Sequence, residues 1–204
     1  KAFSMKKKLF FLVSIFFLYF NSITAITYNS EPKIFIQELV DDAIKTLSDK
    51  SLSNEEKNDF IKKIATENVD INALGLYTLG KLRKDLDEVT LKKYQDLFEE
   101  YFLKSLISRL TDYSSQKFKV TESEQKSSNY TIVKSVIAEG VKSPEIKVEW
   151  RVYTKNPEKP LIRDLIVEGL SLAKTQKEEF ASILNSNNND INSLLTRLEE
   201  FVKN

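Results

Sequence analysis

Neither cysteine nor histidine occurs anywhere in the 204 residues. Without cysteine there is no disulfide, no thiolate nucleophile and no lipid-modified thiol to tether the chain. Without histidine the usual general base and the commonest zinc ligand are gone as well. The four glycines, Gly75, Gly80, Gly140 and Gly169, never cluster, so a phosphate-cradling loop is excluded. These absences argue against an enzyme and against a bound cofactor or metal. Charge excludes a further class: 31 basic residues balance 30 acidic ones without a basic stripe, which is not the surface of a nucleic-acid binder.

Long hydrophobic runs are scarce too. The main one, residues 9–20, falls short of the roughly 20 residues that a membrane-spanning helix needs. It follows Lys6, Lys7 and Lys8 and precedes Asn21, Ser22, Thr24 and Ala25, the three-part pattern of a secretory signal that starts at Met5 and is cut near Ala25. The competing reading, an uncleaved anchor, lacks a stop-transfer charge cluster. Removing 25 of 204 residues leaves 179, enough for a single domain over 26–204 with a sizeable core. Lys1, Lys6, Lys7 and Lys8 go with the signal, so 27 of the 31 basic residues remain against 30 acidic ones, a net charge of −3. An exported, soluble, untethered periplasmic protein is expected.

What the chain does have is two periodicities in succession. Over 32–48, Ile36, Leu39, Val40, Ala43 and Leu47 recur at helical spacing, with Gln37, Glu38, Asp41, Asp42 and Lys45 on the other side. Ser53 and Glu56 form a capping-box signature for a second helix to about residue 67, with Phe60, Ile61 and Ile64 as its stripe. A third helix is predicted over 71–79 and closed by Gly80. Asp87 caps a long fourth helix whose apolar face includes Leu91, Tyr94, Phe98, Tyr101, Phe102, Leu106 and Tyr113.

Beyond Ser115 the period drops to two. Phe118 and Val120, then Tyr130, Ile132 and Val136, alternate with polar neighbours. Over 145–153, Ile146, Val148, Trp150 and Val152 share one face while Glu145, Lys147, Glu149 and Arg151 share the other, which predicts one covered face and one wet face. After a turn at 156–160, a strand over 161–168 carries Leu165 and Val167 inward, with Asp164 and Glu168 on the wet side. Thr175 and Glu178 read as a second capping box that opens a helix with Phe180, Ile183 and Leu184 inward. Asp190 caps a last helix that buries Leu194, Leu195, Leu198 and Phe201. The order predicts an α+β fold: a curved antiparallel sheet of about four strands, one face wrapped by about six helices, enclosing an apolar cavity.

Five words carry a further signal by their order and spacing. They are Ile36-Gln37-Glu38-Leu39-Val40-Asp41-Asp42-Ala43-Ile44, Thr78-Leu79-Gly80-Lys81, Arg109-Leu110-Thr111-Asp112-Tyr113-Ser114, Val148-Glu149-Trp150-Arg151, and Val167-Glu168-Gly169-Leu170-Ser171-Leu172 leading to Gln176-Lys177-Glu178-Glu179-Phe180. Across nearly the whole mature chain this resembles the MlaC family, also called the toluene-tolerance family, of soluble periplasmic phospholipid-binding proteins. The resemblance implies a shuttle that takes phospholipid between an outer-membrane lipoprotein complex and an inner-membrane ABC transporter complex, keeping the outer membrane asymmetric. It implies no enzymatic activity. Leu82 and Arg83 stand where the family often has an aromatic pair. Asn187, Asn188 and Asn189 stand where it often has a glycine pair, and asparagine tolerates the left-handed backbone that glycine would adopt.

A carrier of this kind needs a dry cavity, because each acyl methylene left in water forfeits about 0.8 kcal/mol. The residues expected to wall it are Ile132, Val148, Trp150, Leu165 and Val167 on the sheet, Tyr101 and Phe102 with Tyr94 on the long helix, and Leu170 and Leu172 past a backbone bend at Gly169. Residue by residue each reads first as plain core, because apolar alternation specifies burial and nothing more. Arg83, Lys84 and Lys174 lie near predicted element ends, where they can attract a headgroup phosphate or stand as ordinary solvated charge. Two other functions stay open. One is an exported hydrolase working with two carboxylates, which needs an inward acid; the other is an adaptor with a solid interior.

Overall fold

The computed structural model describes residues 27–110, 117–138 and 144–204. The export signal with its cut near Ala25, and Tyr113 at the end of the long helix, lie outside the described residues. Helix α1 (Pro32–Ser48) starts where Pro32 presets the first-turn backbone and the Glu31 carboxylate accepts from the N–H groups of Lys33 and Ile34. Helix α2 (Asn54–Asn68) opens on the expected capping box: the Glu56 N–H donates to Ser53 Oγ at 3.2 Å, and the Ser53 N–H donates to the Glu56 carboxylate at 2.7 Å. Helix α3 (Ile71–Thr78) gives way to Gly80 at φ 59°. After a short 3-10 turn, Leu82–Lys84, Asp87 accepts from the Thr90 N–H at 2.9 Å and starts α4 (Glu88–Leu110).

Hydrogen bonds from Ser53 hold the Glu56 carboxyl below its ordinary range, and those from Thr90 do the same for Asp87. A depressed folded-state value means that the stabilisation is complete above the unfolded carboxylate range, near pH 4, and is lost as pH falls through the folded value. Helix content followed by circular dichroism should therefore hold down to about pH 4 and decline only below it. A loss that begins near neutrality would contradict these caps.

The sheet is a meander of five antiparallel strands in sequential order: β1 (Lys117–Ser127), β2 (Tyr130–Ala138), β3 (Ile146–Tyr153), β4 (Leu161–Val167) and β5 (Leu170–Ser171). The last is not foreseen in the sequence, and it changes the meaning of Gly169. Glu168 at φ 50° and Gly169 at φ 82° are consecutive left-handed residues, the signature of a tight two-residue hairpin. The chain does not leave the sheet there. It doubles back, so that Leu170 pairs with Val167 and Ser171 with Ile166. Nothing stands within 4 Å of the place a Gly169 Cβ would take, so glycine serves the backbone angle alone.

Helix α5 (Leu172–Ser186) follows at once. Its N-cap is Ser171, whose Oγ accepts from the Lys174 N–H at 3.0 Å, while Thr175 sits in the first turn with its hydroxyl donating to the Ser171 carbonyl. The capping box read at Thr175 and Glu178 is therefore corrected: the hairpin delivers a competent serine cap four residues earlier. Asp190 caps α6 (Ile191–Lys203) as expected, and Asn188 and Asn189 take left-handed angles of 54° and 59° before it.

The apolar interior forms two clusters. Ile71, Tyr94, Phe98, Phe180, Leu184, Leu194 and Leu198 join α3, α4, α5 and α6. Phe35 and Ile36 of α1 lie on the sheet against Val120, Val133, Val152 and Ile162. Val69 touches both, forming a parallel bridge to Ile162, and the Asp70 N–H donates to the Ile162 carbonyl at 2.9 Å. A bulge in the β3–β4 pairing then sorts the faces. Val152 pairs with Ile162 but Arg151 pairs with Asp164, which leaves Arg163 as the extra residue. Leu165 and Val167 accordingly share the α1 side with Trp150 and Val148, while Asp164 and Ile166 join Arg151 and Glu149 on the reverse.

Candidate functional site

A half-open cavity of about 640 Å³ lies on that reverse face. Its volume falls among those of small-molecule sites, about 300–1,000 Å³. Ala73, Leu74 and Tyr77 of α3 and Ala173 of α5 form the helical wall. On the sheet side, Tyr130, Ile132 and Ile166 supply apolar surface, and Lys126, Glu149, Arg151, Arg163 and Asp164 supply charge. The strand face that reads as wet in the sequence is thus the cavity floor.

Of the residues expected to wall an acyl cavity, only Ile132 lines this one. Val148, Trp150, Leu165 and Val167 lie on the opposite face of the sheet. There Trp150 meets Phe118 edge-on at 6.1 Å between ring centres, and its indole N–H donates to Ser135 Oγ at 2.8 Å. Tyr101 and Phe102 are partly buried and pack against the helical cluster that contains Tyr94. Tyr101 packs on Phe201 at 4.8 Å and donates its hydroxyl proton to Gln176 Oε1 at 2.8 Å, and Phe102 stacks on Phe98. Leu170 is 60% exposed and Leu172 38%, because the hairpin turns both outward instead of carrying the strand on. Gly169 makes the bend of that hairpin and does not line this cavity.

None of the expected headgroup cations lines the cavity either. Arg83 donates to the carbonyls of Gly80 and Leu76, closing the end of α3. Lys84 is exposed, and Lys174 lies 3.7 Å from Glu178 on the outer surface of α5. The cations that do reach the site come from the sheet. Arg163 donates from Nε to Asp70 Oδ2 at 2.8 Å, with Nη2 in ion-pair contact with the same oxygen at 2.7 Å, and from Nη1 to the Tyr130 hydroxyl at 3.0 Å, with its guanidinium carbon 3.4 Å from the centre of the Tyr153 ring.

Asp164 is likewise corrected. Read as wet, it is 6% exposed. Its Oδ2 accepts from the Ser171 hydroxyl at 2.6 Å, its Oδ1 accepts from the Ala173 N–H at 3.0 Å, and Arg151 Nη1 lies 3.6 Å away. A negative charge is thereby placed at the start of α5, where the helix dipole favours it. The alternation around Leu165 and Val167 correctly puts Asp164 on the other face. The hairpin that brings Ser171 and Ala173 over that face has no such sequence signal.

Among the described residues no group of acids is arranged to hold a metal ion, and no helix is long and apolar enough to cross a membrane. A family model described as "MlaC protein" matches residues 37–200. Among solved structures, a phospholipid-binding protein from Ralstonia solanacearum in complex with a phospholipid has a similar fold, with a TM-score of 0.67 over 82% of this chain and 94% of that one at 18% identity. No curated protein sequence matches the chain.

Proposed function

The chain belongs to the MlaC family, and from that premise we propose that it is a periplasmic phospholipid carrier. In this reading residues 1–25 are an export signal cut near Ala25 and residues 26–204 form one lipid-binding domain. The protein takes phospholipid between an outer-membrane lipoprotein complex and an inner-membrane ABC transporter complex, maintains outer-membrane lipid asymmetry and catalyses nothing. The family match over 37–200 carries the proposal. The cavity of about 640 Å³ between the sheet and α3 supports it, as does the phospholipid held by the Ralstonia protein of similar fold.

The alternatives fare worse on particular residues. A two-carboxylate hydrolase needs a pair of acids free to move protons; of the two acids that line this cavity, Asp164 has both oxygens engaged in anchoring α5, which leaves Glu149 without a partner acid. An adaptor would have no use for a half-open cleft of this volume between the sheet and α3. The competitor of a carrier is the bilayer, which buries the same methylenes. Net preference is therefore small, and transfer requires a docked partner to shift it.

The full chain expressed in a Gram-negative host and purified from the periplasm should begin at Ile26 and carry phospholipid visible by native mass spectrometry and by thin-layer chromatography of a solvent extract. Preparations that are repeatedly lipid-free and that also refuse added lipid would remove the carrier reading.

A further inference from the structure

Most charge in the cavity is already matched by protein. Arg163 is held by the Asp70 carboxylate and the Tyr130 hydroxyl. Asp164 is committed to Ser171 and Ala173. Lys126 lies 2.5 Å from Glu124. Lys134, which faces Glu149 across the β2–β3 ladder, is bound to Glu122 at 2.9 Å.

Two groups are left over. The Arg151 guanidinium has only the 3.6 Å approach of Asp164, a carboxylate whose hydrogen bonds go elsewhere, so its donor fork is unspent. Glu149 accepts no hydrogen bond and forms no ion pair with any described residue, although Lys134 feels its charge. Both line the cavity, and they stand two residues apart on one face of β3, about 6.6 Å along the strand. They do not pair with each other.

We propose that Arg151 and Glu149 form a headgroup subsite for zwitterionic phospholipids: Arg151 takes the phosphate and Glu149 takes the ammonium two carbons further on. This rests on the carrier reading and names the lipid class that the carrier prefers. Arg151 sits exposed at the rim, while Tyr130, Ile132 and Ile166 line the same sheet surface, so a headgroup on the charged pair leaves its acyl chains beside apolar side chains. A planar fork suits a phosphate because it donates two parallel hydrogen bonds. A carboxylate beside it favours a lipid whose headgroup adds a positive charge and disfavours one whose headgroup adds only hydroxyls.

Delipidated chain offered an equimolar mixture of phosphatidylethanolamine and phosphatidylglycerol, with bound lipid read by native mass spectrometry, should enrich phosphatidylethanolamine about fivefold, the size that one partly exposed ion pair supports. Glu149→Gln should bring the ratio to about one, and Glu149→Lys should reverse it. Raising salt from about 0.01 to about 1 M should erode the enrichment in the unmutated chain, a readout that needs no variant to fold. Soluble glycerophosphoethanolamine, with the same two charges and no tails, should not displace bound lipid; displacement would overturn the lipid assignment. Uptake of both lipids in equal amounts, an excess of phosphatidylglycerol, or an enrichment that survives Glu149→Gln or high salt would overturn this inference and leave the carrier reading standing. Uptake of neither lipid overturns both.

Discussion

Asp164→Ala lowers the unfolding free energy by about 3 kcal/mol, the sum expected for two hydrogen bonds to a buried charge and the unmatched donors that remain. The carboxylate accepts from the Ser171 hydroxyl and from the Ala173 N–H, and Ser171 in turn accepts from the Lys174 N–H, so a single group anchors the first turn of α5 to β4. Alanine leaves the Ala173 N–H without its acceptor at the start of a helix and removes the charge that complements the dipole there. In a chain of this size the loss corresponds to a melting temperature lower by about 6–12 °C. Asp164→Asn keeps an acceptor but not the charge and should fall between the two. A thermal or denaturant melt of the alanine variant within about 0.5 kcal/mol of the parent, the range of an ordinary surface substitution, would show that the contact is not a structural anchor.

That anchor also marks the boundary of what the sequence makes legible. Caps that act within one turn are readable: Ser53 with Glu56, Asp87 and Asp190 all begin helices where local chemistry places them. The alternation of β3 correctly separates Val148, Trp150 and Val152 from Glu149 and Arg151. What alternation cannot supply is the neighbour on each face. Apolar side chains here seek α1, so the face that looks covered is core, and the charged face becomes the cavity floor because α3 and α5 close over it without filling it. The membership of Arg163 and Asp164 in the site depends on a bulge opposite Arg151 and Val152 and on a hairpin at Glu168 and Gly169, both set by strand pairing over distance. The aromatic stripe of α4 is legible in the same partial way. Tyr94, Tyr101 and Phe102 are inward as their spacing requires, and the neighbours they meet there are those of the cluster with α5 and α6.

The same cluster sets the other large effect. Phe98 is buried with its ring centre 5.9–6.4 Å from those of Tyr94, Tyr101, Phe102 and Phe180, so Phe98→Ala should cost about 3–5 kcal/mol through lost contacts and a residual cavity. Its ring also explains a glycine in mid-helix. A Cβ on Gly75 would stand 2.9 Å from Phe98 Cδ1, closer than carbon atoms approach, so Gly75→Ala alone must displace a packed aromatic ring and should destabilise. With Phe98 truncated, the obstruction is gone and the intrinsic advantage of alanine over glycine in a helix, about 1 kcal/mol, remains. Gly75→Ala should therefore change sign, harmful in the parent and helpful in the Phe98→Ala background. A double-mutant cycle by urea denaturation measures this as a coupling of at least about 1 kcal/mol between the two positions. Additive losses would mean that α3 and α4 shift apart freely, and that the close approach at Gly75 is not what holds them in register.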